Sequence, residues 1–200
     1  MTIFVVDNDS AVRDSLTLLI EQEGLAVESF DDAQAFLAAW QPGRRGCAII
    51  DLRMPGMDGL RLQAEMSRRS IPLPIIFLTG HGDIPTSVRA IKAGAFNFLT
   101  KSISGAELMT NVHSALAEDE RRRRQAETNC TAASRLASLT KREREVMALA
   151  INGLHNKEIA RRLGISHRTV EIHKAHIMHK TGAATLLDLS HMAEAGGFHA

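Results

Sequence analysis

The chain has no apolar run near the roughly 18 residues that suggest a membrane span. Its Met1 leads almost at once into a strand-like segment and not into a basic secretory leader. Both absences make a cytoplasmic protein the expectation, with no membrane among its partners. Only two cysteines occur, Cys47 and Cys130, in different segments and without CxxC spacing. Cys47 reads as a small core residue and Cys130 as a linker thiol, with a redox switch the minor alternative. No nucleophile elbow, phosphate-binding glycine loop or metal-hydrolase motif occurs, so an independent enzyme is not expected. Internal repeats and long low-complexity tracts are absent as well.

Turning to what is present, 200 residues at 44% apolar content suffice for a medium domain plus a small one, or for one larger domain. The charge distribution favours two. Residues 1 to 117 hold 10 Lys/Arg and 13 Asp/Glu, whereas residues 118 to 200 hold 14 and 10, which is −3 against +4. An acidic front half suits a cation-binding pocket, and a basic back half suits phosphate backbones. Ordinary charge variation among solvated helices would give the same counts, so the split alone decides nothing.

Strand-like runs at Ile3 to Val6, Ala26 to Ser29, Ala48 to Ile50, Ile75 to Leu78 and Phe96 to Leu99 alternate with segments of helical period. In the first such segment Val12, Leu16, Leu19 and Ile20 fall on one helical face. Five strands separated by helices imply right-handed crossovers and a parallel sheet of the α/β class. A helix starting near Gly105 should run on through "AEDERRRRQAET", where Arg121 to Arg124 read as a solvated surface paired with Glu118 and Glu120. DNA contact by this run is a second reading. Asn129 to Ser138, rich in small and polar residues, reads as a hinge or frayed linker. Beyond it, Thr140 and Glu143 have capping-box spacing, and three more helices follow. Asn156 is placed to cap "KEIARRL", Gly164 to make the turn, and Ser166 to cap the helix that starts at His167.

Chemistry gathers at the strand ends. In "CAIIDLRMPGMDG" a buried run delivers Asp51 to the C-terminal mouth of a parallel strand, where an α/β sheet presents its reactive groups. "IFVVDND" ends in Asp7 and Asp9, "IIFLTGHG" supplies Thr79, and "FNFLTK" ends in Lys101. A carboxylate such as Asp51 can attack phosphorus in line and form an acyl phosphate. The blander role is a strand-end aspartate capping the next turn.

These residues resemble the receiver domain of two-component response regulators over roughly the first 117 residues, with four strand ends carrying the family's chemistry in the family's order. "TGHGDIP" and "AGAFNFLTK" resemble the FixJ branch. "LTKREREVMALAINGLHNKEIARRLGISHRTVEIHKAHIMHKTG" resembles the helix-turn-helix output domain shared by FixJ, NarL and LuxR. The resemblance implies a flavodoxin-like doubly wound five-stranded parallel sheet over residues 1–117. A helical linker over 118–138 and an all-α four-helix LuxR-type domain over 139–200 would follow. It further implies phosphorylation of Asp51, with Mg2+ held by Asp7, Asn8, Asp51 and the Arg53 carbonyl. Lys101 would supply fixed positive charge. Thr79 and Phe98 match the switch pair, in which the hydroxyl moves to the phosphoryl oxygen and the ring fills the space behind it. Phe98 lacks a phenolic OH, so packing alone would govern its rotation. The coupled surface, formed by the fourth helix, fifth strand and fifth helix, is a dimerisation face in relatives.

Two positions depart from the family. Receivers usually carry adjacent acids at the end of the first strand, whereas Asp7 is followed here by Asn8, whose amide oxygen can coordinate Mg2+ but brings no charge. Receivers usually have a cis proline after the lysine, whereas this chain has Ser102. A cis bond before a non-proline residue costs about 2.5 to 4 kcal/mol, so the Lys101–Ser102 bond is either trans or cis under strain.

In the second half Val170 and Ile177 share a face that should pack on other helices, while Glu171, Ile172 and Ala175 lie on a different one. Those three match family positions that point toward base edges, where Glu accepts from cytosine N4 and Ile or Ala meets a thymine methyl. Lys157, Arg168, Thr169 and Lys174 are candidates for phosphate contacts. His173, His176 and His179 recur every third residue, and a structural role outweighs metal chelation because no Cys or carboxylate completes a closed zinc set. The leading reading is a transcription factor phosphorylated by a cognate histidine kinase. It would dimerise on activation and bind promoter DNA, with RNA polymerase as a further partner. A phosphorylation-independent DNA-binding regulator is the runner-up, and a phosphate sink the third.

Overall fold

In the computed structural model of the chain, residues 1–80 and 84–198 are described, so His81 to Asp83 of "TGHGDIP" lie outside the described residues. Two compact units divide between Arg122 and Arg123. The first contains five parallel strands: β1 (Thr2–Val6), β2 (Ala26–Phe30), β3 (Gly46–Ile50), β4 (Ile75–Thr79) and β5 (Asn97–Thr100). Their order is β2-β1-β3-β4-β5, the flavodoxin-like doubly wound topology. The connecting helices are α1 (Ser10–Gln22), α2 (Ala33–Ala39), α3 (Gly59–Arg68) and α4 (Ile84–Lys92), with α5 (Gly105–Ala137) after the last strand.

Central parallel strands are covered on both faces, which is why β3 and β4 read as unbroken apolar runs. Alternate side chains serve opposite cores. Phe4, Ile50 and Phe77 pack with Phe36 of α2 and Leu62 of α3, while Val5, Ile49 and Leu78 pack with Ile20 of α1 and Val112 of α5. Asp9, Asp32 and Asp58 start α1, α2 and α3 by accepting from backbone N–H groups of the first turn, each worth ~1 kcal/mol. Cys47 is fully buried and desolvation pushes its thiol up to about 12, which leaves it a core residue without thiolate chemistry.

The second unit is helical: α6 (Lys141–Ile151), α7 (Asn156–Leu163), α8 (His167–Thr181) and α9 (Leu186–Ala195) follow the end of α5. Val146, Met147, Ile159, Val170, Ile177 and Leu189 form its core, joined by Leu136 of α5 and by Leu139. The Thr140–Glu143 capping box is present at the start of α6. Gly164 takes the left-handed φ of 64° that closes α7, and Ser166 caps α8.

Two expectations are corrected here. Asn129 to Ser138 is not a frayed hinge, because α5 stays helical through Ala137. That stretch holds no glycine or proline, its alanines favour helix, and Ala132 and Leu136 are buried. Nor does Asn156 cap α7. His155 occupies the N-cap, its N–H donating to Glu158 Oε2 at 2.8 Å, and Asn156 is the first helical residue.

Candidate functional site

The parallel register brings the C-terminal ends of β1, β3, β4 and β5 to one edge, with Val6 level with Ile50 and Thr79 level with Thr100. Asp7, Asp51 and Thr79 are 2%, 6% and 1% exposed. Lys101 Nζ lies 2.6 Å from Asp7 Oδ2 and 3.5 Å from Asp51 Oδ1, so one ammonium serves both buried carboxylates. Asp7 Oδ1 accepts from the Asp9 N–H at 2.9 Å, and Asp51 Oδ2 accepts from the Arg53 N–H at 3.2 Å. The backbone N–H of Lys101 donates to the Thr79 carbonyl at 2.8 Å, which ties the lysine to the strand that carries the hydroxyl.

Burial raises the pKa of Asp51 and the neighbouring Asp7 charge raises it further, while Lys101 and the Arg53 N–H pull it down without restoring the ordinary value. For Lys101 desolvation works to lower the pKa, but the hydrogen bond to Asp7 and the charges of both carboxylates prevail and hold it above the usual lysine value. The site therefore calls for positive charge. Every peptide bond among the described residues is trans, including Lys101–Ser102, which decides between the two alternatives left open by sequence. Ser102 Oγ lies 2.9 Å from Thr100 Oγ1. Gly59, at the start of α3, has no room for a side chain, since a Cβ would stand 2.5 Å from the Asp51 carbonyl oxygen.

Phe98 is half-buried on β5, its ring centroid 6.0 Å from that of Phe77. Asn8 and Arg53 line a cavity of about 540 Å3 with Met54, Pro55, Thr86 and Arg89. Sequence reasoning missed Arg89, which no motif marks and which α4 alone brings there. It also missed Arg13, whose guanidinium donates to the Asp7 carbonyl at 2.7 Å. One signal was legible: Asp9 precedes a helix and has N-cap character, and its side chain is turned to Ala11.

On α8, Val170 and Ile177 are buried, as their shared face requires. Arg168, Glu171, Ile172 and Ala175 are exposed, and Glu171 Oε1 lies 3.4 Å from His167 Nδ1 on the same helix. Thr169 is half-buried, its Oγ1 2.8 Å from Ser166 Oγ, and Lys157 is exposed on α7. Lys174 is half-buried and donates to Asn156 Oδ1 at 3.0 Å. Among the described residues no group of three or more His, Cys, Asp or Glu is placed to hold a metal, so His173, His176 and His179 do not converge. Sequence reading also missed the clamp on α8. Glu143 of α6, 3% exposed, accepts from Lys180 Nζ at 2.7 Å, and Arg135 donates to the Thr181 carbonyl at 3.1 Å. Bonding to Lys180 and to the Thr140 N–H holds the Glu143 carboxyl down at about 2.

A doubly wound sheet with acids and a lysine at its carboxyl edge, followed by a four-helix unit with an exposed helix-turn-helix face, defines a two-module regulator. Residues 3–113 match the response regulator receiver domain, and residues 137–193 match the bacterial regulatory proteins of the luxR family. The chain belongs to the two-component response regulators of the FixJ/NarL type, which act in transcription regulation through DNA binding. It is 43% identical over 197 residues to the transcriptional regulatory protein FixJ of Azorhizobium caulinodans, covering 98% of this chain and 93% of that one. Among solved structures it is similar to the response regulator StyR, with 43% identity, a TM-score of 0.83 and coverage of 96% and 98%. It is also similar to full-length FixJ from B. japonicum, with 42% identity, a TM-score of 0.61 and coverage of 100% and 98%. Among the described residues no helix is long and apolar enough to cross a membrane.

Proposed function

We propose that Asp51 accepts a phosphoryl group from a cognate histidine kinase and that this modification controls promoter binding, as a dimer, by the second module. The observation that carries the reading is Lys101 within 2.6 Å and 3.5 Å of two buried carboxylates at the ends of β1 and β3. In this reading the receiver occupies residues 1–117, a helical linker 118–138 and the LuxR-type domain 139–200. The protein works in the cytoplasm with RNA polymerase as a downstream partner.

The Asp51 carboxylate oxygen attacks phosphorus in line, the bond from phosphorus to the kinase histidine nitrogen breaks, and an acyl phosphate forms. Lys101 offsets charge on the phosphoryl oxygens, and Thr79 donates its hydroxyl to one of them. Phe98 then takes up the space behind Thr79, and the surface of α4, β5 and α5 changes in step. The donor set of Asp7, Asp51, the Asn8 amide and the Arg53 carbonyl is all hard oxygen, and burial of two like charges favours a cation, so these residues fit Mg2+. When bound, Mg2+ supplies positive charge beside the phosphoryl oxygens. Glu171, Ile172 and Ala175 read base edges, while Lys157, Arg168, Thr169 and Lys174 anchor the backbone.

Incubation with acetyl phosphate and Mg2+ tests the first step. Intact mass should rise by one phosphate in the wild type and stay constant in Asp51→Asn, with DNA affinity rising only in the former. Equal labelling of the two proteins removes the assignment. DNA affinity that is high before treatment and unmoved by it favours the phosphorylation-independent reading, to which Asn8, in place of a second acid, lends support.

A further inference from the structure

The second unit contains a cavity of about 240 Å3 walled by Met147, Ala150, Ile177, Met178, Leu186 and Leu189, and among the described residues the only polar side chain that lines it is Lys174. A second cavity of about 630 Å3 shares Ala150, Lys174 and Leu186 with it and adds His155, Asn156, Lys157 and His167. Among the described residues no acid lines either space. The smaller pocket opens to solvent, so an apolar occupant gains by taking the pocket walls and its own surface out of water. This pocket exceeds the ~150 Å3 that admits benzene and has room for an apolar body of about six to eight carbons.

Charge identifies the other end of that occupant. The Lys174 ammonium carries three donors and, among the described residues, its partner is Asn156 Oδ1 at 3.0 Å. Two N–H groups are left for an acceptor, and Lys157, His155 and His167 line the adjoining space. We propose that the two cavities form one binding site for a small amphiphilic carboxylate, its apolar body between α6, α8 and α9 and its carboxylate on Lys174. Each methylene buried there contributes about fourfold in affinity, and the charge-assisted bond to Lys174 about tenfold or more over a neutral hydroxyl. One consequence rests on the DNA-binding reading of Lys174. A carboxylate on Lys174 offsets the positive charge that a DNA phosphate would meet and adds a like charge beside it, so the ligand would weaken DNA binding.

The test uses the full chain with 13C-labelled methionine methyl groups, because Met147 and Met178 line the chamber. Titration with sodium octanoate should shift both methyl resonances to saturation. Octanol should bind about tenfold more weakly, and acetate should leave them in place. Lys174→Gln should bring octanoate to the level of octanol while the resonances keep their unliganded positions. Ala150→Leu, which adds bulk where the two cavities meet, should block the shifts, with thermal unfolding as the check on its fold. Equal affinities for octanoate and octanol in the wild type, or no shift at Met147 and Met178, overturn the proposal. Shifts that follow protein concentration and not octanoate overturn it in favour of a second copy of the chain. A nonspecific DNA duplex at low salt should weaken octanoate binding. Octanoate affinity unchanged by bound duplex leaves the carboxylate site standing and removes the competition for the Lys174 charge.

Discussion

The receiver site and the recognition helix solve opposite problems. At the sheet edge the reactive groups are buried and engaged with one another, with Lys101 held between Asp7 and Asp51. On α8 the buried side chains, Val170 and Ile177, serve packing, while Arg168, Glu171, Ile172 and Ala175 face outward. Low dielectric and fixed charge suit the small phosphoryl group proposed for the first site, whereas the base reading proposed for the second needs side chains that reach base edges from a rigid rod. The first site is assembled from the ends of four strands far apart in sequence, whereas the outward side chains of α8 come from consecutive turns of one helix.

Breaking the rod should have the larger thermodynamic effect. Ile177→Ala removes a fully packed side chain from the second core and should cost about 2 to 5 kcal/mol, read as a lower denaturation midpoint of that unit and lost DNA binding. Ala175→Ser on the outward face should leave the midpoint in place. Equal losses would mean that the two faces of α8 have been exchanged.

Base reading should be a smaller term. Glu171→Ala should relax discrimination at one base position that otherwise contributes roughly 1 to 3 kcal/mol. Lys174→Ala should weaken all sequences alike and flatten the salt dependence by about one unit if it neutralises one phosphate. Site selection and salt titration on both variants separate the roles. Uniform weakening in Glu171→Ala with altered base preference in Lys174→Ala would reverse the orientation assigned to the helix.

Glu143 sharpens the comparison from the packing side. Its carboxyl sits at about 2 in the folded protein against an ordinary 4.5, so between those values the unfolded chain binds the extra proton. Stability from this group is whole above about 4.5 and is lost as pH falls toward about 2. Thermal unfolding of Glu143→Gln should therefore fall off less steeply than wild type across that acid window and start from a lower value at neutral pH. Parallel curves would show that Lys180 does not stabilise the carboxylate.

The mildest effect is expected at the metal end of the receiver. Asn8→Asp adds a charge beside the oxygen donors and should tighten Mg2+ binding and speed phosphorylation at low metal. An unchanged Mg2+ titration would mean that Asn8 takes no part in holding the ion.

Local signals account for much of what could be read in advance. Unbroken apolar runs marked β1, β3 and β4 because central parallel strands are covered on both faces, and caps at Thr140 and Ser166 announced α6 and α8. Asn129 to Ser138 misled because small polar residues mark loops in isolation, whereas Ala132 and Leu136 found a core to enter and kept α5 helical. Asn156 misled for a related reason, since its side chain meets Lys174 from a different helix instead of its own backbone.

By itself the sequence determined most element types and the residues at the strand ends, which follow from neighbours a few positions apart, whereas the expectation of two modules rested on the family resemblance of each half. Tertiary structure alone decided that Lys101 contacts Asp7 more closely than Asp51, that Arg89 shares a cavity with Asn8, and that Glu143 and Arg135 hold the end of α8. Such contacts join segments whose approach depends on how whole helices and strands pack, a global property that no local pattern of residues encodes.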